Sequence, residues 1–429
     1  MSSSDVIELT VERPAVGGRM IARHDGRVVL VSGTMPGEHI RAVVERSRRD
    51  VVLARTIEVL EASPDRRPVG VAPECGGRSF AHIDYRRQLK LKSEIVRDAY
   101  RRIGRIELSL PPPVIPSPET GYRMRARLHV GEGKLGFLQE GSHRVCDVVG
   151  TDQLRPETER LIAELAAHVD VLTSTGARTV ELAQNLAGDQ CAVHVVMKSD
   201  PATVGVRLRA LASVSGVTGL TAAGGKGPRA RVVLAGTPYV SDALSVFLPS
   251  GAAETLLLRR HADAFFQANR YLAPGLVSTV AGLTERARLV DLYAGVGLFA
   301  VSIAATRGGP VVAVERDPCS IGDLVSNAAQ VDPDVQVVRA PVETFLKRSA
   351  SLEGAAVIVD PPRTGLSREA ATRLARRRPD RIVYVSCDVA TQARDLRALA
   401  ESGYQLDQVR VFDMFPNTPH IETVVALER

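Results

Sequence analysis

Tryptophan is absent from the 429 residues, and aromatic side chains of all kinds make up only 4%. Cysteine is scarce as well, with five, at positions 75, 146, 191, 319 and 387. An odd number at scattered spacing does not read as a disulfide framework, so a reducing, cytoplasmic setting is expected instead. The opening "MSSSDVIELTVERPAVGG" lacks the basic leader and apolar run of a signal peptide. No run of about 18 apolar residues is present either, so no membrane partner is expected. The Gly-rich stretch "GLTAAGGKGPRARVVLAG" lacks the G-K-[ST] ending of a phosphate-binding P-loop and reads as a flexible hairpin.

What is present is a chain longer than one domain, 45% hydrophobic, with a formal charge of +6. A mild positive excess suits a polyanionic partner without requiring one. Residues 5–60 read as short strands broken by Gly-Gly, Asp-Gly and Pro-Gly turns, the pattern of a small all-β barrel. "EASPDRRPVG" reads as a linker. "YRRQLKLKSEIVRDAYRRIG" then turns helical, and residues 86–105 hold eight basic and two acidic side chains. That helix has two readings, a solvated amphipathic face or a nucleic-acid contact. After a Pro-rich connection, "GYRMRARLHV" sets Arg123, Arg125 and Arg127 on alternate positions. On a strand, a period of two aims all three guanidinium groups to one face, which suggests a phosphate-contacting surface. Residues 155–250 alternate helical and strand-like segments, to which no chemistry is assigned.

From Ala287 a regular alternation begins, with buried strands "RLVDLY", "PVVAVE", "VQVVRA", "AAVIVD" and "RIVYVS" and a closing pair "QVRVFD" and "ETVVALE". This predicts an open, doubly wound α/β sheet ending in a hairpin, with ligands at the carboxyl ends of its strands. Asp291 ends the first strand, and Gly295 and Gly297 lie in the turn before a helix. Glu315 ends the next strand, where an acid can hydrogen-bond ribose hydroxyls. G-x-G without a third glycine suits an adenosine-bearing cofactor that has no pyrophosphate, S-adenosylmethionine first among them. A plain turn with a surface Glu is the alternative. Asp360 stands at the tip of the fourth strand before Pro361-Pro362, and Cys387 at the end of the fifth, just before a helix that would favour its thiolate. Cys191 and Cys319 read as small buried hydrophobes. Glu422, close to His420, follows a Pro-containing loop at the mouth of the same sheet. A thiol, a carboxylate and a methyl donor suggest one reaction. Thiolate addition to carbon 6 of a pyrimidine makes carbon 5 nucleophilic, and a base then removes the carbon 5 proton.

"FFQANR", "DLYAGVG", "VIVDPPRTGL", "VSCDVATQARDL" and "DMFPNTPHIE", in that order, resemble the catalytic motifs of the uracil-5 RNA methyltransferases. "GGRMIARHDGRVVLVSGTMPGEHI" is similar to a TRAM domain, an OB-like RNA-binding barrel, and "GYRMRARLHV" to the family's central RNA-binding domain. The resemblance implies a multi-domain α/β protein with a Rossmann-like catalytic domain. It divides the chain into a barrel at 1–62, a central domain at 63–90 and 122–260, and a methyltransferase domain at 91–121 and 261–429. It further implies that Gln267, Tyr293, Gly295, Glu315 and Asp360 contact S-adenosylmethionine, that Cys387 is the nucleophile and that Glu422 is the base. The barrel favours ribosomal over transfer RNA as the partner, and no obligatory protein partner is expected. Transfer-RNA uridine methylation, cytosine-5 methylation and a catalytically impaired RNA-binding protein are the alternative readings.

Three departures from the family pattern carry expectations. Many members hold an iron–sulfur cluster through C-x5-C-G-G-C and a distant Cys. Here Cys75 remains, Arg78 and Thr151 stand at ligand positions, and Cys146 is out of register, so no cluster is expected. Asp388-Val389 follows the nucleophile where the family has Asn and Pro, and an acid there is expected to raise the pKa of the thiol. Leu298 replaces a polar cofactor contact of some relatives.

Overall fold

Alternating buried and exposed positions along Val6–Pro14 mark a strand with one face inward. In the computed structural model, which describes residues 5–70, 74–225, 231–248, 254–286, 288–307, 309–331 and 335–429, it joins Met20–His24, Arg27–Ser32, His39–Ser47 and Val51–Glu61 in a closed five-stranded barrel. Asp25 and Gly26 both take positive φ between paired His24 and Arg27, as a tight hairpin requires. Inside are Leu9, Met20, Val29, Ile40 and Val52, joined by Phe80 and Leu91 from beyond the barrel.

Leu91 belongs to the linker helix Tyr85–Ala99, which Asp84 caps by accepting from the Arg86 amide at 2.9 Å. The helix continues as a π-helical turn, Tyr100–Gly104. The solvated amphipathic reading describes its outer side. One face is deeply buried, with Leu91 in the barrel core and Ile95, Val96, Ala99 and Tyr100 in the core of the C-terminal sheet. Arg86, Lys90, Arg97, Arg101 and Arg102 stay exposed, whereas Lys92 is fully enclosed. The basic residues therefore lie on the outer face of a bridging element.

A central seven-stranded sheet runs in the order Arg231–Gly236, Gly219–Ala223, Cys191–Met197, Ala177–Gln184, Arg125–Gly131, Lys134–Leu138 and Val145–Cys146. Its first two strands, at the two ends of the glycine-rich stretch, pair antiparallel, and residues 226–230 of the expected hairpin lie outside the described residues. One expectation is overturned in this sheet. Cys75 and Cys146 form a disulfide, with Cα atoms 5.8 Å apart across 71 residues of sequence. An isolated bridge between Cys75 and Gln139 carries the first thiol to the sheet edge where the second lies. Spacing along the chain cannot reveal such a meeting.

The C-terminal sheet has eight strands, in the order Val335–Arg339, Val311–Glu315, Arg288–Leu292, Ala355–Val359, Arg381–Ser386, Glu422–Glu428, Gln405–Phe412 and Val114–Ile115. The first five run parallel, and Glu422–Glu428 turns antiparallel between Arg381–Ser386 and Gln405–Phe412. The Pro-rich connection supplies the far edge strand, a position where missing donors cost least. Alternate residues divide between two apolar layers, with Ala356, Ile358, Val383 and Val385 in one and Val357, Val359, Ile382 and Tyr384 in the other.

Candidate active site at the carboxyl edge of the C-terminal sheet

Above that edge lies a cavity of about 2020 Å³. Strand Arg288–Leu292 leads into a turn in which Tyr293, Gly295 and Gly297 have φ of +65°, +58° and +94°. The two glycines differ in what surrounds them. A Cβ on Gly297 would lie 2.6 Å from Val301 Cγ2 and 2.8 Å from Leu324 Cδ1, so this glycine lets the turn pack onto the helices. A Cβ on Gly295 would meet nothing within 4 Å, because it faces open cavity.

Asp291, fully buried, accepts from the Ala300 amide through Oδ2 at 3.0 Å, and its Oδ1 has no partner. Burial first, then the neighbouring Asp360 and Glu315, push its carboxyl well above the usual range. Glu315 accepts from the Gly295 amide at 2.9 Å through Oε2 and from the Arg316 and Asp317 amides at 2.6 and 2.7 Å through Oε1. It therefore staples the glycine turn to the second strand, with a lone pair left on Oε2 for a ligand. Desolvation raises Asp360 to about 7. Gln267 is buried and lines the cavity with Tyr293, Gly295, Glu315 and Asp360. Leu298 lines it too, an apolar wall where some relatives were expected to place a polar group.

At the other end, strand Arg381–Ser386 is buried throughout, and Cys387 follows it. Ser386 pairs with Thr423 on the adjacent antiparallel strand, so the next step of the register sets Cys387 beside Glu422. Glu422 is buried, and its pKa is raised well above the usual value, by burial first and then by Asp360, with Arg363 opposing. The Cys387 thiol is pushed up to about 11 by burial, then by Glu422 and Asp360, again against Arg363. Two expectations change here. Burial outweighs the helix N-terminus, so the resting thiol is neutral. The pKa does rise, but not through Asp388, which caps helix Val389–Ala400 by accepting from the Thr391 amide at 2.8 Å. His420 is driven down to about 4 by burial and then by Arg363 and other cations, so it is neutral too.

Arg123, Arg125 and Arg127 reach the same cavity, although strand Arg125–Gly131 begins only at Arg125 and Arg123 pairs as an isolated bridge with Asn269. Their face is not bare cation. Arg125 and Arg127 share buried Glu181, and the Arg123 guanidinium sits over Phe137 at 5.4 Å and Phe415 at 5.6 Å. Arg125 lies over Phe265, 5.8 Å from its centroid, and that ring is 61% exposed. Sequence reasoning passed over Phe265, Glu181 and Arg363. Arg363 directly follows the Asp-Pro-Pro corner and Phe265 lies within "FFQANR", so both stood in quoted stretches. Glu181 had no signal.

The residues at the expected cluster positions do not suit an iron–sulfur cluster. Cys75 and Cys146 are bonded to each other, Arg78 donates to the Gly150 carbonyl at 3.1 Å, and Thr151 donates to the Val148 carbonyl at 2.7 Å. Among the described residues no group of three or more His, Cys, Asp or Glu could hold a metal ion.

A doubly wound sheet with a glycine turn and strand-end acids lining one cavity marks an S-adenosylmethionine-dependent methyltransferase. The tRNA (Uracil-5-)-methyltransferase family matches residues 225–429, and the TRAM domain matches residues 4–57. A 23S rRNA (uracil(1939)-C(5))-methyltransferase, RlmD, from Halomonas elongata is 33% identical over 98% of this chain and 89% of its own. An uncharacterized RNA methyltransferase from Aquifex aeolicus is 30% identical over 98% of each chain. The fold alone is shared with a tRNA (uracil-54, C5)-methyltransferase of Pyrococcus abyssi, solved with S-adenosyl-L-homocysteine. Its TM-score is 0.73 at 24% identity, over 98% of this chain and 100% of that one. The chain belongs to the uracil-5 RNA methyltransferases.

Proposed function

We propose that the protein methylates carbon 5 of a uridine in ribosomal RNA, with Cys387 as nucleophile and Glu422 as base. The observation that carries this reading is the meeting of a thiol and a buried carboxyl at one end of a cavity whose other end is a glycine turn ringed by acids. S-adenosylmethionine, when bound, supplies an electrophilic methyl group. Gln267, Tyr293, Gly295, Glu315 and Asp360 would hold it, and the open space over Gly295 beside the Glu315 carboxylate fits such a guest.

The uridine must leave its stack to reach the cavity. Sγ of Cys387, once ionised, adds to carbon 6, and carbon 5 becomes the nucleophile that takes the methyl. The Glu422 carboxylate then accepts the carbon 5 proton, the carbon 5–carbon 6 double bond re-forms, and the sulfur leaves. Arg363, which favours the charged forms of both groups, is the cation that steadies these steps. Arg123, Arg125 and Arg127 are proposed to hold phosphates at the mouth. Ribosomal RNA is preferred because the relatives similar over nearly the whole chain include enzymes named for 23S rRNA.

The test uses purified protein, labelled S-adenosylmethionine, and separate ribosomal and transfer RNA from a strain lacking 5-methyluridine. After digestion, mass spectrometry is expected to find label in 5-methyluridine from the ribosomal fraction. Label only in transfer RNA would overturn the target, and label in 5-methylcytidine would overturn the reaction.

A further inference from the structure

The connection at residues 413–421 leads into Glu422 and supplies no group to the chemistry above, yet distant parts of the chain converge on it. Asn417 has a φ of +63° and four hydrogen bonds. Its Oδ1 accepts from Gln88 Nε2 at 2.9 Å and Arg67 Nη2 at 2.7 Å. Its amide donates to Gln88 Oε1 at 2.9 Å, and its carbonyl accepts from the Phe80 amide at 2.8 Å. One helical turn beyond Gln88, Lys92 pairs with Asp413 and donates to the Phe415 carbonyl at 3.1 Å, with both charged side chains fully buried. Gln88 and Lys92 lie four apart, so a single face of the linker helix grips both halves of the loop. Asn269 donates to the Met414 carbonyl at 3.1 Å. At the barrel, Gly18 comes so close to Pro419 that a Cβ there would lie 2.5 Å from the ring.

Glu422 opens its strand opposite Phe412, where the hairpin ladder ends, so the posture of this connection sets the wall around its carboxyl. We propose that Gln88, Lys92 and Asn417 are positioning residues that hold the loop, and through it Glu422, in the attitude needed for proton removal. This rests on Glu422 being the base. Nucleophilic addition, which belongs to Cys387 on the neighbouring strand, does not depend on them.

That asymmetry gives the experiment a signature that a general loss of structure would not produce. In Asn417→Gly the left-handed backbone is kept without strain, while the acceptor for Gln88 and Arg67 is removed. Release of methylated RNA is expected to fall roughly 10- to 100-fold. The KM for RNA should stay near the parental value, and a methylated covalent protein–RNA adduct should build up on denaturing gels. Capture of 5-fluorouracil RNA, which needs no proton removal, should keep the parental rate. Gln88→Met, of similar volume, should give the same pattern independently. Parental turnover in both variants, or equal loss of turnover and capture, would overturn the positioning role. Glu422→Gln is run alongside. If it too releases product at the parental rate, the base assignment fails first. If it holds the adduct and the other two variants do not, only the positioning role fails.

Discussion

The two ends of the cavity are built by different means. At the proposed cofactor end, neighbours in sequence do the work: residues 291–297 form the strand end and the turn into helix Leu298–Arg307, and Glu315 staples that turn through the Gly295 amide. At the proposed base end, the strand ends bearing Cys387 and Glu422 face Arg363 and a loop held by Arg67, Gln88 and Lys92. Local geometry is dictated by residue type, so the first end announces itself. The second exists only once the chain has folded back on itself.

The largest expected effect is at the base end. Cys387→Ala should remove turnover by on the order of 10⁴-fold or more, since among the described residues no second thiol lines the cavity. Capture of 5-fluorouracil RNA should vanish with it, while RNA affinity measured by filter binding should persist. Turnover surviving in this variant would mean that the chemistry is not covalent.

At the cofactor end, the two glycines should separate stability from binding. Gly297→Ala forces a Cβ against Val301 and Leu324 at a φ of +94°, and should cost roughly 2–4 kcal/mol in thermal or denaturant unfolding. Gly295→Ala carries a φ of +58° but meets no neighbour, and should cost only about 1 kcal/mol. Because its Cβ points into the cavity, its loss should show instead in equilibrium dialysis of S-adenosylmethionine. Equal effects on both readouts would break the distinction between a packing glycine and a facing one.

The same contrast explains what could be read in advance. The glycine turn, Asp360 at its strand tip and Cys387 before a helix follow from buried runs interrupted at fixed places, a pattern any parallel sheet must show. The barrel was equally plain from alternation and turns. The Cys75–Cys146 bond was not, because 71 residues separate partners that only an isolated bridge brings together. Lys92 stood in a run of basic residues and looked like one more solvated charge, although burial against Asp413 gives it a separate place. Asp388 was visible, but its effect was misjudged, because its carboxylate serves as a helix cap.

Protonation state offers a smaller lever on the base end. With the Cys387 thiol pushed up to about 11, that group rests protonated at neutral pH; Glu422 is raised as well, so raising the pH moves both toward the ionised forms that the proposed mechanism uses. Below its pKa the thiolate fraction grows about tenfold per pH unit. Alkylation of Cys387 by iodoacetamide in the free enzyme should therefore quicken steeply from pH 7 to 9. Cys191 and Cys319 are buried and pushed up to about 12, so they contribute little to the signal. A flat profile would mean that Arg363 already holds the thiolate.

The smallest effect is expected at the mouth, where Arg127 is exposed on its outer side and tied on its inner side to buried Glu181. A cation facing bare solvent should, when removed, lower the slope of log affinity against log salt by about 0.9 on a duplex, less on a single strand. Arg127 is partly neutralised, and Arg127→Gln also leaves Glu181 leaning only on Arg125, 3.6 Å away. The salt slope should therefore change by clearly less than that full unit, and affinity should fall only a few-fold. Removing both members of the pair, with Glu181→Gln added, should recover part of that loss, because an acid that repels phosphate goes with the cation. A full-unit change in the single variant would show that Glu181 does not restrain Arg127 when RNA is bound, and the mouth would then be the bare cationic face that strand periodicity alone suggests.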